Sequence, residues 1–484
     1  MNKPIRTISV FCLLLFLALL VNASYVMYFR ADELAADAKN RRVINAAFSR
    51  ERGAILVGKE PVARSVPSDD KYEFQRTYPQ PFMYAPITGY FAYYSQTGIE
   101  RSQSGVLSGD DERLFVTRLV DMLSNAEPKG GNVELTIDPA AQAAAFDGLQ
   151  ALPGAKGAVV ALEPSTGKVL AMVSSPTFDP NLLASHDLGA VEDESTRLEE
   201  DPATPLINRT VGTTLPPGST FKLVTAAAAI ESGNYDKDSL VPGGFKFQLP
   251  QSDSKVGNYD QGNCGGDKIT LTQALEVSCN VTFLSLANEL GAEAMTEQAE
   301  AFGFNSTALE DLPGQAPSLY PEMDAPQTSL SGIGQSSVTA TPLQMAMVAA
   351  GIANDGQVMR PYLVDEVRAP NASLLDKTDE STYSQAVSSD TADELTEMMV
   401  STVDNGTAAV AAIPGVRVAG KTGTAQSSGD RPPYAWFVSF APADDPQVAV
   451  AVLVEASETA RDEIAGGTLG GPIAKAIMEA VMAP

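Results

Sequence analysis

The sequence predicts an α+β protein, a five-stranded antiparallel sheet with helical layers, preceded by a transmembrane helix and a small irregular pedestal. Three observations predict it. Residues 157–162 and 168–173 form an apolar hairpin around the turn Glu163-Pro-Ser-Thr-Gly167. Three strand-like runs, 416–419, 436–440 and 448–454, lie close together near the C-terminal end. Between hairpin and strands the apolar residues recur mostly at helical spacing.

Composition sets the outer limits. The chain has 484 residues, 44% hydrophobic and 19% charged, enough for two or three domains with a real core. Its net charge of −27 argues against nucleic acid and against binding anionic lipid by charge. The single histidine, His186, excludes His-rich metal sites, and it lies in a stretch without strand or nucleophile-elbow pattern. No metal or cofactor is expected.

Residues 7–29 carry no charge and are long enough to cross a bilayer. Lys3 and Arg6 precede them, so the 1–6 tail should stay cytoplasmic and the rest of the chain be exported. The alternative is a signal peptide cut at the poor site Val21-Asn-Ala23, but the apolar run continues past it to Phe29. Residues 31–150 read as a pedestal or interaction module. Within it, 32–45 reads as a helical stalk and Arg52-Gly-Ala-Ile-Leu56 as a short strand. Tyr78-Pro-Gln-Pro-Phe-Met-Tyr-Ala-Pro86 reads as irregular, 132–138 as a strand, and 139–152 as an Ala-rich helix.

Residues 155–484 should form one further domain. The span 179–205 is acidic and loop-like. Leu215-Pro-Pro-Gly-Ser219-Thr-Phe-Lys222 then breaks the chain just before an apolar helix, which puts Ser219 in its first turn and Lys222 on the same face. A serine, a nearby amine and a free helix-terminal N–H together can supply a nucleophile, its base and half an oxyanion hole. Ser-x-x-Lys spacing alone is weak: the sequence holds four copies, and only this one has that setting. Ser278-Cys279-Asn280 falls on a connection between predicted helices at 269–277 and 283–290. Cys264 and Cys279 are the only cysteines beyond the anchor; they can pair in an oxidising compartment or remain two buried thiols. Gly332-Ile-Gly334-Gln335 lacks the third glycine, the feeding strand and the acidic partner of a nucleotide fingerprint. Residues 341–352 read as a buried helix, and 472–482 as a last amphipathic one. Gly420-Lys421-Thr422-Gly423-Thr424 follows a strand and can present a lysine, two hydroxyls and a backbone N–H to a cleft, which suits a terminal carboxylate.

In this order, Ser219-x-x-Lys222, Ser278-x-Asn280 and Lys421-Thr-Gly423 resemble the serine penicillin-recognising enzymes, penicillin-binding proteins and serine β-lactamases. Residues 157–181, 208–230, 332–356 and 415–454 are similar to class B penicillin-binding protein transpeptidases. The anchor, Arg52-Gly-Ala-Ile55 and the 135–138 stretch resemble that class's N-terminal module, and the 78–94 segment is most similar to the actinobacterial penicillin-binding protein A group. The resemblance implies acyl transfer from peptidoglycan stem peptides through a Ser219 ester, with β-lactams imitating the D-Ala-D-Ala end. It implies Lys222 as base if neutral, Ser278 as proton relay, Asn280 as a brace for Lys222 and substrate amide, and the N–H groups of Ser219 and Thr424 as oxyanion hole. Lys421, Thr422 and Thr424 would hold the substrate carboxylate. A membrane glycosyltransferase of the shape-elongation-division-sporulation family is the implied partner. Rival readings are an anchored β-lactamase, for which Glu310 or Glu322 would have to activate water, a D,D-carboxypeptidase, and a non-catalytic sensor or division scaffold.

Overall fold

The computed structural model describes residues 2–30, 45, 47–115, 123, 129–259, 261–426, 431–461 and 464–483. The expected stalk at 32–45 lies outside them except for Asn45. Helix α1 (Asn2–Phe29) is 28 residues long, about 42 Å at the helical rise. An 18-residue window within its 3–29 stretch has a mean hydropathy of 2.4 and no described residue buries it, which fits a single-pass membrane anchor.

The N-terminal module is built on β1 (Ile55–Val57), β2 (Glu60–Pro67), β3 (Phe74–Thr77) and β4 (Asn132–Leu135). β1 pairs antiparallel with β2 and parallel with β4. The sheet does not end there. β12 (Val364–Arg368) pairs antiparallel with β4, and β13 (Leu374–Lys377) extends it, giving six strands in the order β13-β12-β4-β1-β2-β3. Chain segments more than two hundred residues apart thus share one ladder.

Strand β1 starts later than Arg52 because Arg52 turns inward. Glu100, on helix α3 (Gly98–Ser102), is fully buried and accepts from Arg52 Nε at 3.1 Å, Arg76 Nε at 2.6 Å and the Tyr78 hydroxyl at 3.1 Å. Burial alone would push the Glu100 carboxyl up; the two guanidiniums outweigh it and hold it below the ordinary carboxylate range. Breaking one member of such a group strands the others in low dielectric. Glu100→Gln is therefore expected to cost about 3–5 kcal/mol, read as a lowered urea midpoint. A loss under about 1 kcal/mol would mean that the arginines find water instead.

Two stretches expected to be irregular are helical. Within 78–86, helix α2 (Pro81–Thr88) forms. Pro81 sits in its first turn, where the missing N–H costs nothing, and burial of Tyr84, Ala85 and Ile87 outweighs the bond lost at Pro86. Within 179–205, helix α5 (Leu188–Glu200) starts at the Asp187 cap and carries a Glu194–Arg197 pair at 2.7 Å. Only Leu198 on it is buried, so no apolar periodicity announced it.

The second sheet runs β15-β16-β17-β5-β6, all antiparallel, from β5 (Lys156–Leu162), β6 (Val169–Ser175), β15 (Ala419–Ala425), β16 (Tyr434–Ala441) and β17 (Val448–Ala456). Its central strands are apolar at nearly every position because both faces are covered. On one face, helix α4 (Pro139–Gln150) packs Ala141, Ala145 and Leu149 with Ile473 and Ile477 of α11 (Gly466–Val481). On the other lie α6 (Lys222–Glu231), with nine of its residues buried, and α9 (Pro342–Ala353), wholly apolar but for Gln344.

The region around residues 240–270 holds two small antiparallel pairs. β7 (Leu240–Pro242) pairs with β10 (Lys268–Thr270), and β8 (Lys246–Gln248) with β9 (Lys255–Gly257). Helix α7 (Leu271–Glu276) accordingly starts two residues later than expected, behind a Thr270–Gln273 capping box. β11 (Gln357–Met359) and β14 (Thr382–Gln385) make a third pair, and α10 (Ser389–Asn405) leads back towards β15.

Candidate active site

The Ser219 turn is clamped from two sides. Gly218 takes φ 55° and donates its N–H to the Gly334 carbonyl at 3.0 Å. A Cβ on Gly334 would lie 2.2 Å from the Gly218 oxygen, which gives Gly332-Ile-Gly334 its structural meaning: close backbone approach to the serine turn. From the sheet, Trp436 Nε1 donates to the Pro216 carbonyl at 2.9 Å. The chain then makes one 3-10 turn, Gly218–Phe221, and runs straight into α6. Ser219 is left half-buried at the wall of a cleft of about 1140 Å³.

The three motifs meet in that cleft. Lys222 Nζ donates to the Ser278 carbonyl at 2.7 Å, the Ser278 hydroxyl at 3.1 Å and Asn280 Oδ1 at 2.8 Å. Lys421 Nζ, arriving from edge strand β15, donates to the same Ser278 hydroxyl at 2.9 Å and to the Thr422 carbonyl at 2.8 Å. Ser278 reaches both amines because its backbone takes φ 56°, a left-handed conformation uncommon for serine. Ser219, Ser278, Asn280, Thr422 and Thr424 all line the cleft. Gly423 is buried where β15 crosses the serine turn; a Cβ there would come within 2.8 Å of Thr220.

Both lysines are fully buried. Burial, then the charge of Lys421, holds the Lys222 amine well below the ordinary lysine range. Burial lowers Lys421 to about 7. A neutral Lys222 has two N–H groups for its three partners, so the Ser278 hydroxyl can turn to donate to its lone pair, and a hydroxyl between two amines can pass a proton.

Several residues of the site carried no sequence signal. The Thr407 hydroxyl lies 2.9 Å from that of Thr422 and its N–H bonds to the Glu276 carbonyl at 3.2 Å, so it sets the orientation of Thr422. Phe283 places its ring 5.6 Å from Lys222 Nζ. Asn258 bonds to the first turn of α8 (Asn280–Ala301) across 22 residues of sequence. No local pattern marks contacts of that kind.

The candidate carboxylates lie elsewhere. The Glu310 side chain is exposed and 3.9 Å from Arg360, and neither it nor Glu322 lines the cleft. Among the described residues none of the cleft's lining is acidic. His186 packs against Phe48 and Tyr72 in the N-terminal module.

Cys264 and Cys279 lie at bonding distance with Cα atoms 5.7 Å apart, tying the loop after β9 to the Ser278 connection. Replacing both with serine is expected to lower stability by roughly 3 kcal/mol, the loop-closure entropy for fifteen residues. Chemical denaturation of the two proteins side by side checks this, and an unchanged midpoint would contradict it.

Comparison with known proteins identifies the family. Residues 157–479 match the penicillin binding protein transpeptidase domain, and residues 52–133 match the penicillin binding protein A dimerisation domain. The peptidoglycan D,D-transpeptidase PbpA of Mycolicibacterium smegmatis is 44% identical, covering 100% of this chain and 99% of its own. Its namesake in Mycobacterium tuberculosis is 43% identical with the same coverage. Among solved structures, the ceftriaxone acyl-enzyme complex of penicillin-binding protein A from M. tuberculosis superposes with a TM-score of 0.87, at 42% identity, over 90% of this chain and 100% of that one. The penicillin G acyl-enzyme complex of the same protein gives 0.83, at 42% identity, over 89% and 99%. With a transpeptidase match over more than half its length and relatives this similar from end to end, the chain belongs to the penicillin-binding protein transpeptidase family, in its class B branch.

Proposed function

We propose that this protein is a peptidoglycan D,D-transpeptidase working through a Ser219 acyl-enzyme. The observation that carries the reading is the pair of buried lysines converging on the Ser278 hydroxyl beside Ser219. Ser219 Oγ attacks the penultimate D-Ala carbonyl of a stem peptide while neutral Lys222 takes its proton. The N–H groups of Ser219 and Thr424 hold the oxyanion, each such donor being typically worth about 3 kcal/mol. Ser278 passes the proton to the leaving nitrogen, the C–N bond breaks and the terminal D-Ala departs. The amine of a second stem then attacks the ester, the bond to Ser219 Oγ breaks, and the amine's proton returns to Ser219 as the cross-link forms. Lys421, Thr422 and Thr424 hold the substrate carboxylate, Gly423 lets their strand approach, and Asn280 braces Lys222. β-Lactams enter by the same attack and leave Ser219 acylated.

Other parts of the reading follow from this. The division is a 1–6 cytoplasmic tail, a 7–29 anchor, a 31–150 N-terminal module and a 155–484 transpeptidase domain facing outwards, with two exchanges: helix α4 of the first stretch packs on the catalytic sheet, and β12 and β13 of the second complete the module's sheet. The Cys264–Cys279 bridge fits that oxidising side. A membrane glycosyltransferase of the shape-elongation-division-sporulation family supplies the glycan strands. The test is intact mass of the full chain in detergent after incubation with penicillin G. One stable adduct per chain is expected. Hydrolysed penicillin without adduct would make the protein a β-lactamase, and intact penicillin without adduct would make it a scaffold.

A further inference from the structure

We infer that Asn258 is a positioning residue for the acylation step, holding Asn280 and through it Lys222. This rests on the acyl-enzyme reading above. Helix α8 carries Asn280 as its first residue and Ser278 two residues before it, so its N-terminus fixes both residues of the Ser278-x-Asn280 motif. Yet its own N-cap residue, Cys279, makes no side-chain cap. A helix start needs acceptors for its free N–H groups. Here the acceptor comes from outside: Asn258 Oδ1 takes the N–H of Asn280 at 3.0 Å and of Val281 at 3.2 Å. Asn258 is itself held, since its Nδ2 donates to the carbonyls of Gly244 at 2.9 Å and Gly262 at 2.8 Å. Next to it, the Gly257 carbonyl accepts from Asn280 Nδ2 at 3.1 Å, which turns Asn280 Oδ1 towards Lys222.

The side chain is buried, lines the cleft and spends both donors and its acceptor on this bracket. Its two ends do different jobs. The donors fasten the 244–262 loop, and the acceptor fastens the motif. Lys222 responds to any shift because its three hydrogen-bond partners all belong to Ser278 and Asn280. From the elements packed on it, the carbonyl and hydroxyl of Ser278, the amide of Asn280 and the ring of Phe283 face it, and Lys421 is the charged group among the described residues that bears on it.

Two variants separate the jobs. Asn258→Ala removes both ends; Asn258→Asp keeps an acceptor for the two N–H groups but loses both donors. The full chain and both variants are mixed with penicillin G, and the acylation rate constant, the noncovalent affinity and the pH profile are recorded with a thermal melt. Asn258→Ala is expected to acylate roughly 10–100-fold more slowly, as for a catalytic group displaced by about an ångström, with the noncovalent affinity retained. Asn258→Asp is expected to lose comparable thermal stability yet regain most of that rate. Its rising limb should move up by roughly half to one pH unit, because a carboxylate favours the charged amine. Wild-type-like acylation of Asn258→Ala overturns the proposal. So does an equal loss of rate in both variants with no displaced limb, or failure of both to fold, since each would leave Asn258 a purely structural residue. If wild type itself formed no adduct, the acyl-enzyme reading would fail instead.

Discussion

Ser219→Ala is expected to form no covalent adduct with penicillin G while folding as wild type does. Loss of the activated serine of a serine protease costs on the order of 10⁶-fold. The cleft can still bind the ligand, because the groups proposed for its carboxylate, on Lys421, Thr422 and Thr424, are untouched. Ser219 is half-buried at the cleft wall, so stability should change by no more than about 0.5 kcal/mol. Mass spectrometry of the intact chain decides the matter. A surviving adduct would move the nucleophile elsewhere, with Ser278 the first alternative.

Lys222→Ala is expected to slow acylation by at least about 10²–10⁴-fold, the usual worth of a positioned base. The loss should be larger than for a base alone, because the amine also holds the Ser278 carbonyl, the Ser278 hydroxyl and Asn280 Oδ1. The pH profile identifies the cause. The base works only when neutral, so the wild-type rate rises with pH as Lys222, held well below the ordinary lysine range, loses its proton. Lys421 must be charged to hold a carboxylate, so the rate falls as pH passes about 7, where that amine titrates. The result is a bell whose limbs belong to the coupled pair. The variant should lose the rising limb.

The same pair leaves a mark on stability. Both lysines titrate lower folded than unfolded, so between about 7 and the unfolded value of about 10.4 the unfolded chain binds more protons. Their penalty on folding therefore shrinks as pH rises through that window. Stopped-flow acylation across pH, run on both proteins, checks the kinetic limbs. Normal acylation of Lys222→Ala would give the base role to another group.

What the sequence disclosed follows the range of the forces involved. The central strands of the catalytic sheet are apolar on both faces, and a run such as Val448-Ala-Val-Ala-Val-Leu-Val454 cannot be read otherwise. The break before Ser219 was legible because Pro-Pro-Gly leaves the backbone few choices. Helix α5 was not legible, since its caps and charge pairs leave no apolar stripe. Nor was α2, where tertiary burial overrode two prolines. In the site, the three motifs were legible as residue types at fixed spacings. Asn258 and Thr407 were not, because each reaches a motif through hydrogen bonds to residues far along the chain.

The shared ladder between β4 and β12 has a consequence in time. β4 ends at Leu135 and β12 begins at Val364. At the usual pace of synthesis, about 5–20 residues per second, β4 waits roughly 10–45 s for its neighbour. Until then its edge is open to any other strand, including that of a second growing chain. The membrane-proximal module is therefore not finished first and then joined to an enzyme. Its last seam closes only after the Ser219 turn and the Ser278 connection have been made, so a chain cut short before residue 364 would carry a ragged, sticky base rather than a smaller working protein.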